Sequence, residues 1–93
     1  MFSWDARKAL KNHQKHGVSF EGAATVFSDA DALDWEDLEH GERERRWKRL
    51  GLSADGRILL IVYTLRRVRN GTETIRIISA RQASHRERKA YAG

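Results

Sequence analysis

Apolar and polar positions along the 93-residue chain follow two different periods. From Ser3 to Gly17 the spacing is helical but the apolar stripe is thin, supplied by Leu10 and the alanines. Trp4, Lys8, Asn12 and Lys15 or His16 follow one another along a mostly polar face. Ser3 is placed to cap this helix, Asp5 to meet its positive end, and Gly17 to stop it in the left-handed conformation. A shorter helix follows, capped by Ser19, with Phe20, Ala23, Ala24 and Phe27 at the i, i+3, i+4, i+7 spacing of a buried face. Val18, just before that cap, can form a hydrophobic staple with Ala23.

Beyond these helices the pattern becomes strand-like. Ala32 to Trp35 reads as a short first strand. Arg45 to Leu52 reads as a second, its alternation diluted by Arg45, Arg46, Lys48 and Arg49. Ser53-Ala54-Asp55-Gly56 is turn chemistry. Ile58 to Leu65, ILLIVYTL, is a nearly unbroken apolar run that predicts a central strand buried on both faces. Arg69-Asn70-Gly71-Thr72 carries the Asn-Gly pair of a tight hairpin, which returns the chain as a last strand from Glu73 to Arg81. A two-residue turn there sets Arg66 opposite Ile75 or Arg76. Strict alternation puts Ile75, Ile77, Ser79 and Arg81 on one face, and Arg76, Ile78 and Ala80 on the other. Arg81 then emerges near the start of the central strand, where the last helix can fold back over it. Ser84 and Glu87 match the S-x-x-E capping box and open that helix, His85 to Ala92. The expected fold is α+β: two N-terminal helices, a four-stranded, mainly antiparallel sheet and a C-terminal helix, in one domain over residues 1–93.

Composition narrows the chemistry. Cysteine is absent, which excludes disulfides and thiolate metal sites. No apolar stretch is long enough for a membrane span and MFSWDARK lacks a signal core, so the expected location is the cytoplasm, without membrane contact. The net charge of +5 and pI near 10.1 point to anionic partners. Its distribution is uneven: residues 29–44 hold eight of the thirteen acidic residues and one basic residue, Arg43. The remainder therefore carries 17 basic against 5 acidic residues. That acidic segment reads as a solvated loop, with shielding or self-association as the rival.

Candidate catalytic groups are few. His13 and His16 share a helix face without a carboxylate partner, a weak metal signal, and neither a phosphate-binding glycine loop nor a nucleophile elbow occurs. Arginines remain, and their planar permanent charge suits phosphate. RNA can be cut without metal: the ribose 2′-hydroxyl attacks the adjacent phosphorus, leaving a cyclic phosphate and a free 5′-hydroxyl. The protein must then stabilise charge on the phosphorane and move protons at two oxygens. The residues alone leave three readings open: a ribonuclease, an RNA-binding surface and an unspecific basic face.

Longer blocks sharpen this. Phe2-x-Trp4-Asp5, Lys15-His16-Gly17-Val18-Ser19-Phe20, Ala23-Ala24-x-Val26-Phe27-x-Asp29, Val62-Tyr63-Thr64 with Arg66, Arg76-Ile77-Ile78-Ser79-Ala80-Arg81, and Arg86-Glu87-Arg88 with Tyr91 occur in one order from end to end. In these blocks the chain resembles the BrnT toxins of bacterial type II toxin–antitoxin systems. The resemblance implies a RelE-like ribonuclease fold and metal-independent RNA cleavage that inhibits translation, with no cofactor. It also implies neutralisation by a BrnA-type antitoxin that contacts DNA on the pair's behalf, in a complex that can grow to higher order. Carried over by it are Arg66 and Arg81 as phosphate stabilisers and His16 in proton transfer, with Lys15, Arg76, Arg88 and Tyr91 on the RNA. His16 has a rival role against the helix dipole, Tyr91 in packing the last helix, and Arg88 in a solvated face or antitoxin contact. The alternative function is a non-catalytic basic nucleic-acid-binding or protein-interaction domain.

Overall fold

The computed structural model describes residues 1–40, 43–67 and 70–93. Its elements run β1 (Phe2–Ser3), α1 (Ala6–His16), α2 (Phe20–Ala24), a 3₁₀ turn (Thr25–Ser28), β2 (Leu33–Asp37), β3 (Arg46–Leu52), β4 (Ile58–Arg67), β5 (Glu73–Gln82) and α3 (His85–Ala92). The strands form one five-stranded sheet in the order β1-β5-β4-β3-β2. The expected four-stranded, mainly antiparallel sheet is thus corrected to five strands, in which one parallel pairing joins three antiparallel ladders. The extra strand is the N-terminus, where Phe2 and Ser3 pair in parallel with Ile75 and Arg76. Ser3 is therefore extended in β1 and does not cap α1. Asp5 does so instead, its Oδ1 accepting from the backbone N–H of Arg7 at 2.9 Å and Lys8 at 3.1 Å.

Gly17 closes α1 at φ 69°, and Ser19 caps α2 by accepting the Gly22 N–H at 2.9 Å. Phe20 and Ala23 point inward with Val18 and Val26 against Leu59, Ile61, Ile77 and Ala80 of the sheet. On α1 Ala9 packs against the core as expected, but Leu10 and Asn12 exchange places. Leu10 is 60% exposed, whereas Asn12 is 8% exposed and reaches across to β5. Asn12 Nδ2 donates to the carbonyls of Val18 at 3.0 Å and Ala80 at 2.8 Å, while Oδ1 accepts the Ala80 N–H at 3.1 Å. Its amide thus completes the edge of β5 beyond the reach of the two-residue β1.

The run ILLIVYTL is the middle strand, flanked by β3 and β5, as its apolar density predicted. β2 lies at Leu33–Asp37, offset from the expected Ala32 to Trp35, because its register with Leu50 to Arg46 carries it on through Asp37. The ladder ends at Arg67 opposite Glu73, so five residues rather than the expected two connect β4 to β5, with Gly71 at φ 83° and the Thr72 N–H donating to Asn70 Oδ1; Val68 and Arg69 lie outside the described residues. Arg66 stands opposite Thr74, not Ile75 or Arg76. The register then shifts between Val62 and Tyr63, with Tyr63 opposite Ile77 and Val62 opposite Ser79. This bulge at Ile78 breaks strict alternation and lets Ile77 and Ala80, three residues apart, share the helix-covered face.

At the other edge, the 3₁₀ turn presses on β3 where Gly51 leaves room. A Cβ there would stand 2.9 Å from Ala32 Cβ and Val26 Cγ1. Arg49 also points into this layer, bonding the Val26 and Asp29 carbonyls and Asp34 Oδ2, with its guanidinium 5.0 Å from the Phe27 ring centroid. The acidic segment is therefore a solvated loop only in part: Leu38, Glu39 and His40 are exposed outside any strand, and Gly41 and Glu42 lie outside the described residues. Asp29 and Asp34 are structural, and β2 lies along the basic strand β3.

Candidate nucleic-acid interface

Leu59 and Ile61 face the helices, so alternation along β4 sends Leu60, Val62, Thr64 and Arg66 to the opposite, outer face. Lys48 stands opposite Val62, Arg46 lies two residues farther along β3 on the same side, and Arg76 stands opposite Thr64. Arg46, Lys48, Arg66 and Arg76 are thus gathered by three adjacent strands around Thr64. Arg66 is a diagonal neighbour of Arg76 across the β4–β5 ladder, the placement in which long side chains meet. Thr64 is 0% exposed, and its hydroxyl has no hydrogen-bond partner among the described residues.

Glu44 enters this patch from the segment before β3. Its Oε1 accepts from Arg66 Nε at 3.2 Å. That hydrogen bond lowers the Glu44 pKa against the opposing effect of desolvation, and the charges of Arg66 and Arg76 lower it further. Beside Glu44 lies a cleft of about 450 Å³ lined by Glu39, His40, Arg43, Glu44 and Arg46. His40 is oriented in it by Asp37, whose Oδ2 lies 3.2 Å from His40 Nδ1. Asp37 is only 7% exposed, and desolvation opposes its ionisation, yet its pKa falls because His40, Lys48 and the Glu39 N–H favour the charged form. With Nδ1 committed to Asp37, His40 keeps Nε2 for another partner. Among the described residues, no group of three His, Cys, Asp or Glu side chains is placed to hold a metal ion.

The residues expected to form one site are dispersed. Arg66 and Arg76 do come together. Arg81 stands opposite Leu60 on the same face, six β4 residues from Arg66, or about 20 Å at strand rise. It is bound elsewhere: Arg81 Nη1 and Nη2 donate to Glu87 Oε1 and Oε2 at 2.8 and 2.9 Å. Glu87 also accepts the Ser84 N–H and completes the predicted capping box of α3, and Arg81 holds its pKa down at about 2. Arg66 and Arg81 therefore stand at opposite ends of the sheet's outer face, Arg81 near the start of the central strand as expected. Lys15 and His16 end α1, in the helical layer on the opposite side of the sheet, where the Lys15 charge meets the negative end of that helix. Arg88 is exposed on α3. Tyr91 donates its hydroxyl to Asp29 Oδ2 at 2.7 Å, and this bond raises its pKa to about 12. It anchors α3 to the carboxylate that also caps the Leu52 N–H.

Thr64, Glu44, Arg46, Lys48 and the Asp37–His40 pair were not foreseen as site residues. Only the D-x-x-H spacing carried a local signal; the others meet through strand register.

Residues 4–87 match the family described as "Ribonuclease toxin, BrnT, of type II toxin-antitoxin system". The fold is similar to the crystal structure of the Brucella abortus ribonuclease toxin BrnT, with a TM-score of 0.64 and 23% sequence identity over 91% of this chain and 99% of that one. No curated protein matches the sequence significantly. A family match spanning nearly the whole chain is decisive: the protein belongs to the BrnT family of ribonuclease toxins of type II toxin–antitoxin systems.

Proposed function

We propose that this protein cleaves RNA on the outer face of its sheet, by metal-independent attack of a ribose 2′-hydroxyl on the neighbouring phosphorus. The observation that carries the reading is the convergence of Arg66 and Arg76 beside the buried hydroxyl of Thr64, which has no hydrogen-bond partner among the described residues. The two guanidiniums hold the phosphate and take up the charge that develops on its non-bridging oxygens. His40, oriented by Asp37 as a base is in a catalytic triad, removes the proton of the 2′-hydroxyl through Nε2. The 2′-oxygen bonds to phosphorus, the bond to the 5′-oxygen breaks, and the leaving oxygen takes up a proton. The products are a 2′,3′-cyclic phosphate and a 5′-hydroxyl.

Arg81 and Tyr91 act in this scheme as positioning residues for α3, Lys15 and Arg88 attract RNA at longer range, and His16 has no part in the reacting centre. Translation stops because its templates are cut. A BrnA-type antitoxin, assigned from family membership, neutralises the toxin by covering the outer face. The test is incubation of the purified protein with RNA in EDTA, followed by analysis of the new ends. Cleavage leaving cyclic phosphate and 5′-hydroxyl ends is expected. Intact RNA at micromolar protein, or cleavage abolished by the chelator, overturns the proposal.

A further inference from the structure

The outer face already contains a carboxylate where an RNA phosphate would be held. Glu44 Oε1 meets Arg66 Nε at 3.2 Å, and the charge of Arg76 acts on the same carboxylate. The two arginines come from adjacent strands paired Thr64 to Arg76 and Arg66 to Thr74. Resting on the reading that this face binds RNA, we propose that Glu44 is an intramolecular phosphate mimic, which RNA must displace to enter the Arg66–Arg76–Thr64 subsite.

Two observations separate this contact from an ordinary structural ion pair. Arg66 gives Glu44 one hydrogen bond, where a phosphate can take two from the guanidinium fork. Thr64 also lacks a partner at hydrogen-bond distance among the described residues, although buried hydroxyls are normally satisfied. A phosphate oxygen would complete both. The contrast with Arg81–Glu87 is direct: that pair has two short hydrogen bonds and Glu87 is tied into a helix cap as well. Glu44 and Arg66 have side chains 43% and 53% exposed, and a pair so exposed shifts an equilibrium by a factor of only about one and a half to five. Glu44 is therefore held well enough to screen the subsite and loosely enough to leave it.

The experiment measures binding of a 2′-O-methyl RNA dodecamer, which cannot undergo 2′-hydroxyl attack, at 0.15 M salt (~8 Å Debye length). Glu44→Gln should bind it about two- to five-fold more tightly than the natural protein. The gain should vanish in the Glu44→Gln/Arg66→Ala double variant. Glu73→Gln is the charge control, because Glu73 is exposed and pairs with Arg67 at 3.7 Å at the same end of the sheet. Equal gains for Glu73→Gln and Glu44→Gln overturn the mimic and leave a general charge effect. Unchanged or weaker binding by Glu44→Gln, in a protein whose natural form binds the dodecamer and cleaves RNA, overturns the mimic alone. If neither form binds and the natural protein leaves RNA intact, the outer-face reading falls as well.

Discussion

Replacing Asn12 by alanine removes three hydrogen bonds at once and leaves three backbone groups without partners: the Val18 carbonyl, the Ala80 carbonyl and the Ala80 N–H. All three lie in the closed layer between α1, α2 and β5, where Val18 is 0% and Ala80 1% exposed. A hydrogen bond contributes about 1 kcal/mol net, and a stranded buried group costs ~1–3 kcal/mol. The expected loss is thus about 3 kcal/mol, a large part of the ~5–15 kcal/mol that holds a typical domain together. At this chain length the melting temperature should fall by about 12–24 °C. Urea unfolding followed by circular dichroism measures the loss, which should appear as a lower midpoint at unchanged slope. Hydrogen exchange locates it, because the Ala80 amide should lose protection before those of β4. Asn12→Asp is the discriminating companion: its carboxylate keeps the acceptor for Ala80 N–H but sets a charge against two carbonyls. It should destabilise at neutral pH at least as much as alanine and recover partly in acid. A loss below about 1 kcal/mol, or an Ala80 amide as protected as before, would refute the claim that this amide closes the edge of β5.

The other expectations concern the helix, the sheet edge and the site. Glu87 has its pKa lowered from 4.5 to about 2, so its contribution is complete above 4.5 and is lost as pH falls through 2. Glu87→Gln should weaken α3 at pH 6 by about 1 kcal/mol after screening of the half-exposed Arg81, and should flatten the acid dependence of α3 amide exchange; an NMR titration placing the Glu87 carboxyl near 4.5 would contradict this. Gly51→Ala should cost ~1–3 kcal/mol in chemical denaturation, since its methyl would press on Val26 and Ala32. In single-turnover RNA cleavage, Arg66→Ala should reduce the rate by ~10²-fold or more with an unchanged melting temperature. Arg81→Ala should instead lower the melting temperature and free α3 while retaining most of the cleavage rate at low temperature. The reverse pattern would return Arg81 to the reacting centre.

Some of this molecule was readable locally because local chemistry was sufficient to specify it. Gly17 in the left-handed region, Ser19 at its cap, Asn70-Gly71 in the turn and the Ser84–Glu87 box each require only a few neighbouring residues. ILLIVYTL needed no partner to announce a central strand, because eight apolar and β-branched residues in succession have no solvated alternative. The errors occurred where a distant residue supplied the missing group. Ser3 and Asp5 are both good caps, and only the pairing of Phe2 and Ser3 with β5 chose between them. Asn12 looked solvated because its partners lie six and 68 positions away in sequence.

The site shows the same division in its sharpest form. Arginines on two adjacent strands, a basic body and the end-to-end blocks were all present in the bare chain and pointed to an RNA-directed toxin. Which arginines meet was a question of register, and one extra residue at the β5 bulge is enough to change the answer. Arg66 joined Arg76, Thr64 and Glu44, while Arg81 was taken up by Glu87. Propensity and composition act over a few residues and so specify elements and charge. The spatial grouping of side chains depends on strand pairing across the sheet, and for that the folded chain was required.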